Sequence, residues 1–394
     1  MSPMMSQMMS LPILPSDLIK EILSWLPVKV LVRLTCVCKE WKSLIFDPTF
    51  AKLHLERSPK HTHTLLTLLD VVEDSETWVV SPQSVRRLLE YPASTVVNED
   101  KCYRYTYDSF YAIGSANGLV CLIGDKSLEG GNREICSGFW NPALRLRSEN
   151  SPTLNNLHSD ASVHLGFGYD DSGDKYKVVA VFWDHTVQKW EGRVHCMGDS
   201  CWRKTLTCPD FPTLLGRTNG PFVNGSVNWL ALNNLNCHEY EWENVTIEQL
   251  VIFSLDLRNE TSKYVLLPDG FGEKPEDEPA LAVFRGCLCL YYDHMKTHFV
   301  LWEMREFGVQ DSWTRLVNIS YLQLDDFVPD WLLLPVCLSE NGDVLMLACT
   351  QDWGDVVMYN RRDGRVERVE LPNPLIWYAE EHMKSLVLPL PHPH

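Results

Sequence analysis

The chain has 394 residues, is 45% hydrophobic and 22% charged, and carries a formal net charge of −17. That composition builds a globular core and the length allows two or three domains, but so acidic a chain argues against nucleic acid or an anionic membrane as principal partner. No run of ~18 apolar residues is available to cross a bilayer. The opening "MSPMMSQMMS" has no basic or apolar signal-peptide region, and the thirteen cysteines include no CxxC pair. Free thiols in a reducing compartment, cytoplasm and/or nucleus, are therefore expected, with no bound metal.

Residues 1–10 read as a disordered start. Helical patterning begins with "LPSDLIKEILSWLPVKVLVRLTCVCKEW" at Leu14. A first helix is expected from Ser16, with its hydroxyl as cap and Asp17 at the positive end of the helix dipole. Pro27 should stop it and open a second helix. A third helix follows around "CVCKEWKSLIF", and "DPTFAKLHL" starts another with Asp47 as cap and Pro48 in the first turn. In the first helix Leu18, Ile19, Ile22, Leu23, Trp25 and Leu26 span about 160°, wider than the ~100° stripe a surface helix needs. Some 45 residues of short helix cannot bury that surface alone. Either the helices pack on the rest of the chain, or an apolar face is kept for a partner protein.

This segment resembles the F-box. The resemblance rests on Leu14 and Pro15, Asp17, Ile22 and Leu23, Leu26 and Pro27, Leu31, Val37-Cys38-Lys39 and Trp41, followed by "DPTF" at residues 47–50. Val30 and Thr35 depart from it, standing where plant relatives usually carry a small polar residue and an arginine. The resemblance implies a three-helix F-box over residues 11–57. It also implies docking to the Skp-family adaptor of an SCF (Skp–cullin–F-box) ubiquitin ligase, and through the adaptor to cullin and RING subunits. The implied contact residues are Leu14, Pro15, Leu18, Ile22, Leu26, Pro27, Val28, Leu31, Leu34, Val37, Cys38 and Trp41. Residues 1–57 hold seven Lys/Arg against five Asp/Glu, and the remainder holds 28 against 47.

From Thr62 onward the pattern turns to short β runs punctuated by Gly, Asn and Asp. A tight turn followed by a strand recurs in "ANGLVCLI", "VNGSVNWLAL", "FRGCLCLYYD" and "ENGDVLMLAC", with a wider turn in "YDDSGDKYKVVAVF". Strands before these turns begin near Tyr111, Val163, Gly220, Ala280 and Leu333, at intervals of 52, 57, 60 and 53 residues. Four strands per unit at a regular period read as propeller blades. The expected fold is thus α plus all-β, a helical F-box followed by a β-propeller over residues 58–390. Six blades are expected, within a range of five to seven, with a 391–394 tail. The sixth blade would combine "THTLLTLLDV", "TWVVS" and "KCYRYTY" with a far-end strand, "KSLVLPL". A pair of β-sandwiches is the alternative. The body also resembles the F-box-associated domain of plant F-box proteins, kelch-like and S-locus-like groups included. The carriers are "GSANGLVCL", "FWNPALR" at residues 139–145, "LGFGYD" at 165–170 and "VNGSVNWLA" at 223–231. This resemblance implies recognition of a target protein for ubiquitination.

Chemical motifs are weak. "GFGYDDSG" has the first two glycines of a dinucleotide fingerprint but a misplaced third and no helix pattern after it, and no nucleophile–base–orienter set stands in a recognisable context. No catalytic residue, metal ligand or cofactor is expected. In four-strand units the turns after strands one and three lie on one face of the ring, and the remaining connections lie on the other. The second set is long and acidic. It gathers Glu239, Glu241, Glu243, Glu273, Glu276, Asp277, Glu278, Asp325 and Asp326 with Tyr240, Trp242, Phe271, Phe327 and Trp331 as aromatic anchors. These residues are the candidate target site, for a target that is basic. An enzymatic or sugar-binding propeller with a merely packed helical N-terminus is the rival reading.

Overall fold

The computed structural model describes residues 14–72, 75–92, 102–105, 110–128, 131–158, 162–205, 211–216, 219–233, 239–324, 333–348, 355–370 and 375–389. The expected disordered start and the 391–394 tail lie outside these. The first unit is helical: α1 (Ser16–Leu23), α2 (Val28–Leu34), α3 (Lys39–Ile45) and α4 (Pro48–Arg57). Ser16 does not cap α1 as expected. Pro15 is the N-cap, so Ser16 is already helical and no side chain caps the first turn. Pro27 is likewise the N-cap of α2 rather than its first residue. At α4 the expectation holds: Asp47 Oδ1 accepts from Thr49 N at 2.8 Å and Phe50 N at 3.2 Å, with Pro48 in the first turn. The Cys38 side chain caps α3, its Sγ accepting from Trp41 N at 3.4 Å.

Six blades follow, each built on four antiparallel strands; three of the sheets add a short fifth strand, Leu154–His158 in blade 2, Asn219–Gly220 in blade 3 (parallel to its inner strand) and Thr213–Leu214 in blade 4. In chain order from the inside of the ring outward, blade 2 is Phe110–Ala116, Leu119–Leu128, Asn132–Asn141 and Leu146–Arg147. Blade 3 is Val163–Asp170, Lys175–Asp184, Lys189–Cys196 and Arg203–Lys204. Blade 4 is Phe222–Val223, Ser226–Leu232, Leu250–Asp256 and Ser262–Val265. Blade 5 is Ala280–Phe284, Cys287–His294, His298–Met304 and Trp313–Ser320. Blade 6 is Leu334–Leu338, Val344–Ala348, Val356–Asn360 and Val366–Val369. The tight hairpins are chemically determined. Asn117-Gly118, Asn224-Gly225 and Arg285-Gly286 all take positive φ at both central positions, the geometry of a two-residue turn that matches strand twist.

Blade 1 closes the ring. Its inner strand, Leu375–His382, comes from the far end of the chain and pairs with His63–Val72, which continues to Ser75–Ser84 and Tyr103–Tyr105. The inner strand abuts the inner strands of blades 2 and 6. A far-end closing strand was expected, but at "KSLVLPL"; the structure uses "LIWYAEEH" instead. The reason is competition. Leu386 of the expected strand is taken up by the helical unit, and the backbone carbonyls of Ser385 and Val387 are bound by Asn141. Between successive blades apolar side chains form continuous clusters, as where Ile113, Cys121 and Phe139 of blade 2 meet Phe167, Val178 and Ala180 of blade 3. Each blade buries both faces, so radial repetition supplies the core.

Candidate functional site

Two surfaces stand out, at opposite ends of the ring axis. The helical unit sits at the end formed by the turns after strands one and three. Lys52 in α4 pairs with Asp174, in the first turn of blade 3, at 2.5 Å. Ala143 and Leu144, in the third turn of blade 2, pack into the helical core. The long connections after strands two and four of blade 4, described over 239–249 and 268–279, emerge at the other end.

On the helical unit an apolar stripe is left uncovered. Leu18, Ile22 and Trp25 follow one another at i, i+4 and i+7 along one face of α1 and its C-terminal turn, and are 51, 54 and 65% exposed. Leu14, Val30 and Val37 of the same helical unit are exposed as well. Of the residues expected in adaptor docking, Leu14, Pro15, Leu18, Ile22, Pro27 and Val37 are exposed, and Leu26, Leu34, Cys38 and Trp41 are half-buried. Val28 and Leu31 are corrections. Both are buried in the helical core, Leu31 completely, so they support the surface from beneath and do not line it. Trp25, absent from the expected set, stands in the same exposed stripe, a place legible from spacing alone. Its ring is held in place: the Arg57 guanidinium lies 4.9 Å from the ring centroid, and Nε1 donates to Glu21 Oε1 at 3.3 Å. Arg57 also pairs with Glu21 at 2.9 Å, and it, followed by Trp25, holds the Glu21 carboxyl below its ordinary value. A large side chain fixed in one pose binds with little entropy to lose.

At the far end the acids are exposed as expected. Glu239, Glu241, Glu243, Glu273, Glu276 and Asp277 face solvent, and Asp277 pairs with Lys296 of the neighbouring blade-5 turn. The aromatics behave differently from expectation. Phe271 is buried, its ring 4.7 Å from Tyr292. Tyr240 donates its hydroxyl to Glu278 Oε1 at 2.6 Å and accepts from Gly216 N at 3.1 Å. Burial and then the Glu278 carboxylate push that hydroxyl well above its usual range. Trp242 Nε1 donates to Pro275 O at 3.1 Å, and Lys274 reaches back to Trp242 O at 2.6 Å with its ammonium 5.1 Å from the indole centroid. Tyr240 and Trp242 thus tie the two loops together, and Phe271 anchors the second one to blade 5, instead of standing free, which gives the described parts of these connections a braced acidic rim. Asp325, Asp326, Phe327 and Trp331 lie outside the described residues. The described residues hold no cluster of three or more His, Cys, Asp or Glu arranged for a metal.

Residues 11–53 match the F-box domain, and residues 67–385 match the F-box associated beta propeller domain. An F-box/kelch-repeat protein of Arabidopsis thaliana is 30% identical over 361 residues, covering 89% of each chain. A further F-box protein of the same plant is 24% identical over 366 residues, covering 88% of this chain and 82% of its own. Among solved structures, a putative 6-phosphogluconolactonase from Bacteroides uniformis superposes with a TM-score of 0.39 at 9% identity, covering 82% of this chain and all of that one. With helices and six blades both in place, the chain belongs to the F-box proteins that carry an F-box-associated β-propeller.

Proposed function

We propose that this chain is the substrate-recognition subunit of an SCF ubiquitin ligase, acting in the cytoplasm and/or nucleus. An F-box in general docks a Skp-type adaptor, and F-box proteins in general are non-catalytic adaptors. The observation that carries the reading here is the uncovered stripe Leu18, Ile22 and Trp25 on a helical unit that is otherwise well packed. A patch of this kind on a folded unit is what partner binding requires. The adaptor brings cullin and RING subunits, and the propeller holds a target protein at its acidic end, away from the docking surface. The gain is proximity: a bound target presents its lysine to the charged conjugating enzyme at high effective concentration. This chain contributes no reacting group. Its braced acidic rim favours a target with a basic contact patch, through faster encounter more than through tighter final contact. The test is capture of purified Skp-family adaptor by the intact chain, with co-capture of cullin. A chain that binds no adaptor at micromolar concentration would remove the assignment.

A further inference from the structure

The two signature runs of the propeller whose role the docking reading leaves open, "FWNPALR" and "GSANGLVCL", converge on one feature. Asn141, fully buried, is the hub. Its Nδ2 donates to Ser385 O at 3.2 Å and to Val387 O at 2.7 Å, in the segment that leaves the closing strand. Its Oδ1 accepts from Ala143 N at 2.9 Å and Leu144 N at 3.2 Å. One side chain therefore fixes both a strap, residues 383–389, and the blade-2 turn beside it. On the strap's other flank lies Gly118 at φ +80°. A Cβ there would sit 2.4 Å from Ser385 Oγ and 2.7 Å from the Met383 carbonyl, so only glycine admits the strap.

What strap and turn hold is the F-box core. Leu386 is completely buried in one cluster with Leu23, Val28, Leu31, Ile45 and Phe50, and Ala143 and Leu144 pack against the same group. The F-box is thus incomplete on its own residues: part of its interior is supplied from the far end of the sequence. We infer that the strap 383–389 is a working part of the adaptor-docking unit, with Leu386 and Asn141 as positioning residues that set the stability and direction of the docking helices relative to the target-binding end. The strap leaves the closing strand after His382, the register partner of His63, where the linker from α4 enters the same ladder. The Glu381 carboxylate reinforces that junction, meeting His61 Nδ1 at 3.0 Å and accepting from the backbone N–H groups of Arg285 and Gly286. Closure of the ring and integrity of the docking helices are therefore coupled.

The test is hydrogen exchange read by mass spectrometry on the full chain carrying Leu386→Asp, Leu386→Ala or Leu386→Met. The expected result is selective: exchange in α2 and α3 rises by at least about tenfold with Asp and Ala, while the second strands of blades 3 to 5 change by less than about twofold. Methionine, of similar volume, restores protection. Unchanged exchange in α2 and α3 with the Asp variant overturns the inference. If Asp unfolds the whole chain, Ala decides, and a uniform loss of protection around the ring overturns it equally. A second arm measures adaptor affinity and rests on the proposed function; wild-type chain that binds no adaptor would sink that reading while leaving the exchange result to stand on its own.

Discussion

His63 and His382 are register partners at one end of the ladder that closes the propeller, and the F-box is joined to the ring at both. Adjacent strands lie only ~4.8 Å apart, so the two tethers leave the ring side by side. Two close tethers alone would act as a hinge; Leu386, Ala143 and Leu144 supply a third, apolar point of attachment. The ionic contact Lys52–Asp174 has both side chains roughly half exposed. Lys52→Ala is therefore expected to cost under ~1 kcal/mol of stability and to leave F-box exchange rates unchanged. A loss comparable with that of Leu386→Ala, in thermal melts or exchange, would show that charge and not packing holds the unit.

The exposed apolar stripe of α1 and the core beneath it separate cleanly by exposure. Leu18→Asp with Ile22→Asp is expected to cut adaptor capture by about a hundredfold or more, as interface anchors of this size typically do, while the melting curve of the chain stays in place. Trp25→Ala should weaken capture less, by about tenfold. Leu31→Asp should also abolish capture, but by unfolding the helices, because it buries a charge in a closed core. Capture that survives the Leu18/Ile22 change would take α1 out of the docking surface.

Blades were legible because each hairpin carries its own local instruction. Asn117-Gly118, Asn224-Gly225 and Arg285-Gly286 demand a two-residue turn wherever they stand, and the period between such turns counts the blades. The closing strand was not legible in the same way. "LIWYAEEH" places Glu380 and Glu381 in an inner strand, and their partners, Ser115, His61 and the Arg285–Gly286 turn, are distant in sequence. Nothing local distinguishes it from the more apolar "KSLVLPL". Which side chains of the helical unit stay exposed was legible only in part, for a related reason. The ~160° apolar arc of α1 does not say which edge is covered and which, as at Trp25, meets solvent, and α2 is apolar on so many sides that its sequence does not show Val28 and Leu31 turning inward to the cluster with Leu386. At the acidic end sequence located the charges but not the internal bonding of Tyr240, Trp242 and Phe271, because their partners Glu278, Pro275 and Tyr292 lie on other loops and strands.

Charge at the far end should act on encounter. Neutralising the solvent-facing pair, Glu273→Gln with Glu276→Gln, is expected to slow association of a captured target by about two- to tenfold in low salt and to flatten its salt dependence, with little change in dissociation. Glu278→Gln behaves differently, since that carboxylate receives the Tyr240 hydroxyl; a neutral amide oxygen still accepts, so loop stability should change by under ~1 kcal/mol. Stopped-flow association at several ionic strengths separates the two. An unaltered rate and salt slope for the Glu273/Glu276 variant would remove this loop from the encounter surface.

Glu380 gives the closing strand a pH signature. Its Oε1 accepts from Ser115 N at 2.9 Å, while Oε2 is inaccessible and meets no hydrogen-bond donor among the described residues. Burial, reinforced by the neighbouring Glu381 charge, raises its pKa to about 8 from 4.5. The folded chain thus keeps a proton that the unfolded chain releases above pH 4.5, and stability must fall as pH rises from there to about 8, then level off. Glu380→Gln removes the titration while keeping an acceptor for Ser115 N. The variant should gain on the wild type progressively between pH 5 and 8, by about 1–3 kcal/mol at the top of that range, and the two should converge near pH 4.5. His382 contributes with the opposite sign. Burial lowers its pKa to about 3, so the fold loses stability as pH drops below about 6.5, and this loss is common to wild type and Glu380→Gln. Taking the difference between their melting profiles therefore isolates Glu380. A difference that stays flat from pH 5 to 8 would mean that the carboxylate is ionised and solvated in the folded ring, and the coupling of ring closure to protonation would be withdrawn.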